Sequence, residues 1–145
     1  MLLTLVLTSP ILAALLILAL VAGGLRIGRF YACFISSTAL AISCLLILLS
    51  IILSGLPVYE GYEWIKMGSL TVTFSLLLDW LSLPLSVAIT ALCLVSSIFS
   101  FKYMEEKRDI ELYYVLLLFY SVGMLGVTFS TNLIQFFIFF EAMNI

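Results

Sequence analysis

Residues 112–145 read LYYVLLLFYSVGMLGVTFSTNLIQFFIFFEAMNI. No side chain from Leu112 to Phe140 carries a charge, and Glu141 is the first that does. As one helix this stretch would be roughly 50 Å long at about 1.5 Å per residue. A hydrocarbon layer is about 30 Å thick and is crossed by about 20 mainly apolar residues. The stretch must therefore break. Its only polar cluster is Ser130-Thr131-Asn132, residue types that favour turns and helix N-caps. Two helices follow, a fourth near 112–130 and a fifth at 133–145. The fifth is about 20 Å long and ends inside or barely across a bilayer. A free carboxylate there is costly, so the sequence reads as unfinished, either trimmed or continued by another chain.

Composition agrees with a membrane setting. Of 145 residues, 65% are hydrophobic and 10% are charged. A soluble domain is about 45–50% apolar and about 25% charged. The charged groups are too few to cover a water-facing surface, which excludes a soluble globular domain. A net charge of -2 with six scattered Lys and Arg gives no nucleic-acid footprint. The hydrophobicity excludes low-complexity disorder. Histidine is absent, which removes imidazole metal ligation and histidine triads. Cys33, Cys44 and Cys93 are dispersed in apolar stretches and suggest helix packing rather than a disulfide or cluster framework. No dinucleotide or Walker fingerprint occurs. No cofactor and no metal are expected in this chain.

Three further uncharged stretches each hold one span, placed near 2–22, 31–54 and 80–101. The fold class is all-α integral membrane, five helices in a single domain over 1–145. The first segment lacks a basic n-region and a small-residue cleavage site, so it reads as a retained helix. Pro10 lies inside it, which membrane helices tolerate. Arg26 and Arg29 lie between helices 1 and 2, and Lys102, Lys107 and Arg108 between helices 3 and 4. The loop between helices 2 and 3 has only Lys66. The positive-inside rule puts the N-terminus outside a cell (inner) membrane.

That second loop, 55–79, is more than a linker. Leu70, Val72, Phe74 and Leu76 alternate with Thr71, Thr73 and Ser75. A period of two predicts a half-buried strand. Met67-Gly68-Ser69 supplies a turn, and Tyr62–Lys66 a less regular partner strand. An extramembrane β-hairpin is expected, with Tyr59, Tyr62 and Trp64 as an interfacial belt.

Glu141 is the leading functional candidate. With Asn132 as cap it lies about 13.5 Å along helix 5, near the bilayer midplane. Desolvation there favours the neutral acid and suits proton exchange near neutral pH. Such a group usually faces a protein interior and a cation. No Lys or Arg of this chain falls within an apolar span, so a basic partner must come from elsewhere. Asn144, three residues on, shares its helix face and can support it. The alternative is a neutral, hydrogen-bonded structural Glu. Asp79 at the start of helix 3 suits either a helix cap or an ion-entry role. Ser82, Ser86, Thr90, Cys93 and Ser97 form one stripe on helix 3, for close packing or for a hydrated path. Ala32-Ser36, Ala39-Ser43 and Gly126-Ser130 are small-residue pairs of the same kind. The run Lys102–Asp109 reads as a solvated loop.

Leu78-Asp79-Trp80-Leu81-Ser82-Leu83-Pro84 resembles the "LDGLSLP" segment of the antiporter-like subunits of respiratory complex I, Mrp-type antiporters and membrane-bound hydrogenases. Tyr103-Met104, Gly123-Met124-Leu125-Gly126-Val127 and Asn132-Leu133 are similar to later elements of that family. Phe136-Phe137-Ile138-Phe139-Phe140-Glu141 resembles its "FFIFWE" element. Trp80 and Phe140 depart from the common Gly and Trp. The likeness runs from about residue 64 to the end, and the first two helices match only in pattern. It implies that Glu141 is the membrane-embedded fifth-helix glutamate, which in the family pairs with a lysine on a later helix to move protons or sodium. That lysine and the second repeat would lie on polypeptide beyond residue 145. Other membrane subunits and the lipid bilayer are the implied partners. The alternative is a structural or assembly membrane subunit with no ion path of its own.

Overall fold

The computed structural model describes residues 1–25, 28–55, 57–103 and 109–144. In chain order the elements are α1 (Leu2–Ala22), α2 (Arg29–Ser54), β1 (Val58–Met67), β2 (Leu70–Leu78), α3 (Ser82–Tyr103), α4 (Ile110–Phe129) and α5 (Leu133–Asn144). The expected plan of five helices with a hairpin between the second and third is present. The first four are long and apolar enough to cross a membrane, and α5 is a shorter apolar helix of 12 residues.

The boundaries move by small steps with physical causes. Helix α2 starts at Arg29 rather than 31, and the Arg29 guanidinium lies 4.7 Å from the centre of the Phe101 ring. Helix α3 starts at Ser82 rather than 80, because Asp79-Trp80-Leu81 form its capping turn. Helix α4 begins two residues early at Ile110 and ends at Phe129. Arg26, Met104, Lys107, Arg108 and Ile145 lie outside the described residues.

Helix α4 is the axis of the bundle and packs on α1, α2, α3 and α5. Tyr114, Leu118, Leu125 and Phe129 are fully buried along it. The helices approach closely because their contact stripes are small. Ser36, Ser43, Ser86, Thr90 and Ser97 are all fully buried. Ser36 and Ser97 join α2 to α3 through their hydroxyls at 2.8 Å, and Tyr114 donates to the Ser97 carbonyl at 3.2 Å. Ser86 and Thr90 donate back to carbonyls of their own helix. The α3 stripe is thus built as a packing seam.

Pro10 sits within an unbroken α1. A proline supplies no N–H to the carbonyl four residues earlier, here Val6. That carbonyl accepts from Ser43 Oγ of α2 at 3.2 Å and from Ser9 Oγ at 3.4 Å. The Ala39-Ser43 pair therefore both permits the close approach and satisfies the group the proline leaves open.

The hairpin is antiparallel, with Met67 opposite Leu70 and Val58 opposite Leu78. Gly68 has φ +59° in the two-residue turn, a conformation that glycine adopts without strain at the first turn position. The register shifts between Glu63 and Ile65, which makes Trp64 an extra residue. That bulge is why β1 alternates poorly in the sequence. Strand β2 departs from a simple half-buried pattern. Ser75, Leu76 and Leu78 are all buried, so its end is covered on both faces. Leu76 and Leu78 enter a core with Leu3, Val6, Leu125 and Phe129, while Ser75 faces the turn before α5.

Strand β1 holds the start of α1 through Glu60. Its carboxylate accepts from the Leu3 and Thr4 backbone N–H, each at 3.1 Å, and from the Met1 ammonium. Helix α1 has no side-chain cap at Met1, and Glu60 supplies one from another element. Burial pushes this carboxyl up, but the hydrogen bonds from Met1, Leu3 and Thr4 outweigh it and hold its pKa below the usual carboxylate range. A lowered folded-state pKa means stabilisation that is present at neutral pH and lost as pH falls through the carboxylate range. Glu60→Gln should cost about 1 kcal/mol at pH 7, the worth of an N-cap and its dipole interaction. The cost should shrink in acid, where the native side chain also loses its charge. Thermal melting of both forms at neutral and acid pH checks this, and an equal cost at both would refute it.

Candidate proton-handling site

The site is built by docking α5 on α4. Two glycines let the helices meet. A side chain at Gly126 would run into the Phe139 ring, and a Cβ at Gly123 would lie 3.1 Å from the Met143 Cβ. The sequence pairs Gly126 with Ser130, but the contact pairs it with Gly123, because Ser130 already lies past the end of α4.

The entry to α5 is locked to the hairpin. Asn132 Oδ1 accepts the Gln135 backbone N–H at 2.8 Å, the expected cap. Its Nδ2 donates to the Thr73 carbonyl at 2.7 Å. Gln135 Oε1 accepts the Ser75 N–H at 3.1 Å, and the Ser75 and Thr131 hydroxyls are bonded. The Leu76 and Ser130 backbones pair beside them. Gln135 is 2% exposed, and its Nε2 has no hydrogen-bond partner among the described residues. Sequence reasoning missed Gln135 and Glu60. The signal for Gln135 was an amide three residues after a cap in an otherwise apolar run. For Glu60 there was no local signal, since its partners are 56 and 57 residues away.

This docking decides where Glu141 points. Gln135, Phe139 and Met143 form the packed stripe, and at about 100° per residue Glu141 falls roughly 160° from its centre. Glu141 is exposed on this chain, with no hydrogen bond or ion pair among the described residues. It does not face the interior of this bundle. Phe136 and Phe140 stack at 6.2 Å on the same helix. Asn144 is also exposed and shares no hydrogen bond with Glu141.

Asp79 is well separated in role. Its Oδ1 accepts from the Leu81 N–H at 3.1 Å and from the Ser82 N–H and hydroxyl at 2.7 Å each. The Asp79 N–H donates to Ser82 Oγ at 2.8 Å, closing a reciprocal cap. The Ser82 N–H and hydroxyl hold the Asp79 carboxyl below its usual range. An open cavity of about 320 Å³ lies beside it, lined by Leu77, Asp79, Ser82, Leu85, Thr128 and Ser130 among others. No group of three or more Cys, Asp or Glu placed to hold a metal occurs among the described residues.

Residues 64–114 match the family model described as NADH-ubiquinone oxidoreductase (complex I), chain 5 N-terminus. A chloroplastic NAD(P)H-quinone oxidoreductase subunit 5 from Anthoceros angustus is 31% identical over 84 residues, 58% of this chain and 12% of the relative. Its counterpart from Cichorium intybus is 29% identical over 120 residues, 83% of this chain and 16% of the relative. The chain thus spans less than a fifth of either. A solved chain of the membrane-bound sulfane sulfur reductase, an archaeal respiratory membrane complex, superposes with a TM-score of 0.69 over 96% of this chain and 21% of its own length, at 19% identity. That likeness shows the shared fold. Four apolar helices and these relatives make the chain an integral membrane protein. Residues 64–114 are thus similar to the N-terminal segment of complex I chain 5, and the chain resembles a part of the NAD(P)H-quinone oxidoreductase subunit 5 proteins.

Proposed function

We propose that this chain is the first part of a proton- or sodium-translocating membrane subunit in a complex I-like assembly, with Glu141 as its membrane-embedded proton-handling group. The observation that carries the reading is the placement of Glu141. It is the only ionisable side chain on α5, and it sits on the face turned away from α4. A carboxyl group at membrane depth is costly unless partnered. Docking of later helices against that face would enclose it and supply the cation, a membrane-embedded lysine on other polypeptide. Asn144, nearby on that face, is the residue of this chain best placed to support it. No redox cofactor is assigned to these residues, and electron transfer belongs to other subunits. Orientation with the N-terminus outside a cell (inner) membrane rests on the distribution of Lys and Arg.

The test is Glu141→Gln in the whole complex, in native or reconstituted vesicles. Gln keeps the volume and hydrogen bonding but carries no exchangeable acid proton. Removing a positioned proton-transfer group slows such steps by about 10²-fold or more. Assembly should be normal while ion translocation falls steeply. Normal assembly with undiminished pumping would instead support a structural role.

A further inference from the structure

We propose that the cavity beside Asp79, at the hairpin end of α3, receives a lysine side chain from neighbouring polypeptide, with its ammonium on Asp79 Oδ2 and its methylenes along the leucine wall. The cavity, of about 320 Å³, lies between the capping turn of α3 and the end of α4. Leu77, Leu81, Leu85 and Val127 supply its apolar wall, and Asp79, Ser82, Thr128 and Ser130 its polar one. Three of the polar groups are already turned elsewhere. Ser82 Oγ donates to Asp79 Oδ1 at 2.7 Å, Thr128 Oγ1 to the Met124 carbonyl at 2.8 Å and Ser130 Oγ to the Val127 carbonyl at 2.8 Å. Asp79 Oδ1 is taken by the cap, whereas Oδ2 accepts no hydrogen bond among the described residues.

The charged side chains between α2 and α3 are Glu60, Glu63, Lys66 and Asp79, and all are described. Glu60 holds the start of α1, and Glu63 pairs with Lys66 at 2.6 Å. Asp79 is left half-buried, with no ion pair among the described residues. Its cap holds the carboxyl below its usual range, so it is ionised at neutral pH. An anion in an apolar cleft at a membrane boundary is complemented by a cation on a long aliphatic stem. One free oxygen suits the point charge of an ammonium, because a guanidinium fork binds both oxygens of a carboxylate. A hard divalent ion takes about six or more oxygens, more than this wall offers. The amine of a zwitterionic lipid would bring its phosphate against the carboxylate. The relatives named above continue far beyond the part that this chain matches, which makes protein the neighbour able to supply such a stem.

The experiment treats the assembled complex, in native membranes, with a water-soluble carbodiimide and excess glycine ethyl ester, and maps Asp79 by mass spectrometry. A carboxylate touching an ammonium is joined to it as an amide, so the Asp79 peptide should be cross-linked to a lysine of another polypeptide segment. Leu85→Trp, which fills the cleft and leaves the carboxylate and its cap, should lower that cross-link roughly tenfold. Asp79→Asn keeps the capping oxygen and removes the charge. In that variant an N-hydroxysuccinimide ester should acetylate the partner lysine several-fold faster, which proximity without a charge pair would not produce. An Asp79 carrying only glycine ethyl ester would show a carboxylate open to water, and one joined to phosphatidylethanolamine would show a lipid amine in the cleft. Either result overturns the proposal. So does an unmodified Asp79, a cross-link insensitive to Leu85→Trp, or unchanged lysine reactivity in Asp79→Asn. None of these readouts depends on the role of Glu141.

Discussion

Gly126→Ala is expected to loosen α5 from α4 and cost about 1–3 kcal/mol, the range for an extra methyl forced into a packed contact. The new Cβ would meet the Phe139 ring near its attachment, where the side chain cannot swing aside. Phe139 is itself fixed on the far side by Phe74 of β2, 6.0 Å away between ring centres. Relief must then come from the helix, and α5 carries Glu141. Thermal unfolding of the complex and translocation should fall together. Gly123→Ala meets Met143 at 3.1 Å and should cost less, since a few tenths of an ångström suffice. Trimming the ring with Phe139→Leu in the Gly126→Ala background should recover part of the loss, a coupling that a double-mutant cycle measures. Full stability of Gly126→Ala, with no coupling to Phe139, would dismiss this contact as the hinge of the site.

Asn132→Ala is expected to cost about 2–4 kcal/mol, because one side chain serves two elements. Its Oδ1 caps α5, a contribution of about 1 kcal/mol. Its Nδ2 satisfies the Thr73 carbonyl of β2, and an unpaired part-buried carbonyl costs about 1–3 kcal/mol. Asn132→Asp separates the two effects. The aspartate keeps the cap and loses the donor, so its stability should fall between wild type and the alanine variant. Hydrogen exchange at the Ser75 and Gln135 amides reads the lock directly, and both should exchange faster in the alanine variant. Wild-type stability of Asn132→Asp would show that the bond to Thr73 contributes nothing.

The helices were legible because charge is so scarce. With 10% charged residues, each uncharged run of membrane length marks a span. The break at Ser130-Thr131-Asn132 was legible because a single helix there would be too long for a bilayer. The strand β2 was legible from its alternation at 71–75, whereas β1 was legible only in part, as 62–66 of Val58–Met67, because the bulge at Trp64 shifts its phase. The buried stripe Ser82, Ser86, Thr90, Cys93 and Ser97 was visible as spacing, and its partners were not. Spacing within a helix tells which residues share a face but not what that face meets. The same limit hid the bond between Ser43 and the Val6 carbonyl that Pro10 leaves open.

The sequence by itself determined the class and the number of helices, since hydrophobic length, caps and helical rise are local properties. Only the tertiary structure decided the direction of Glu141. Gly123 and Gly126 set which side of α5 is buried, and Asn132 and Gln135 fix its entry against Thr73 and Ser75. Those contacts join residues up to 60 positions apart. They turn the carboxyl away from the chain's own core, which no local pattern encodes.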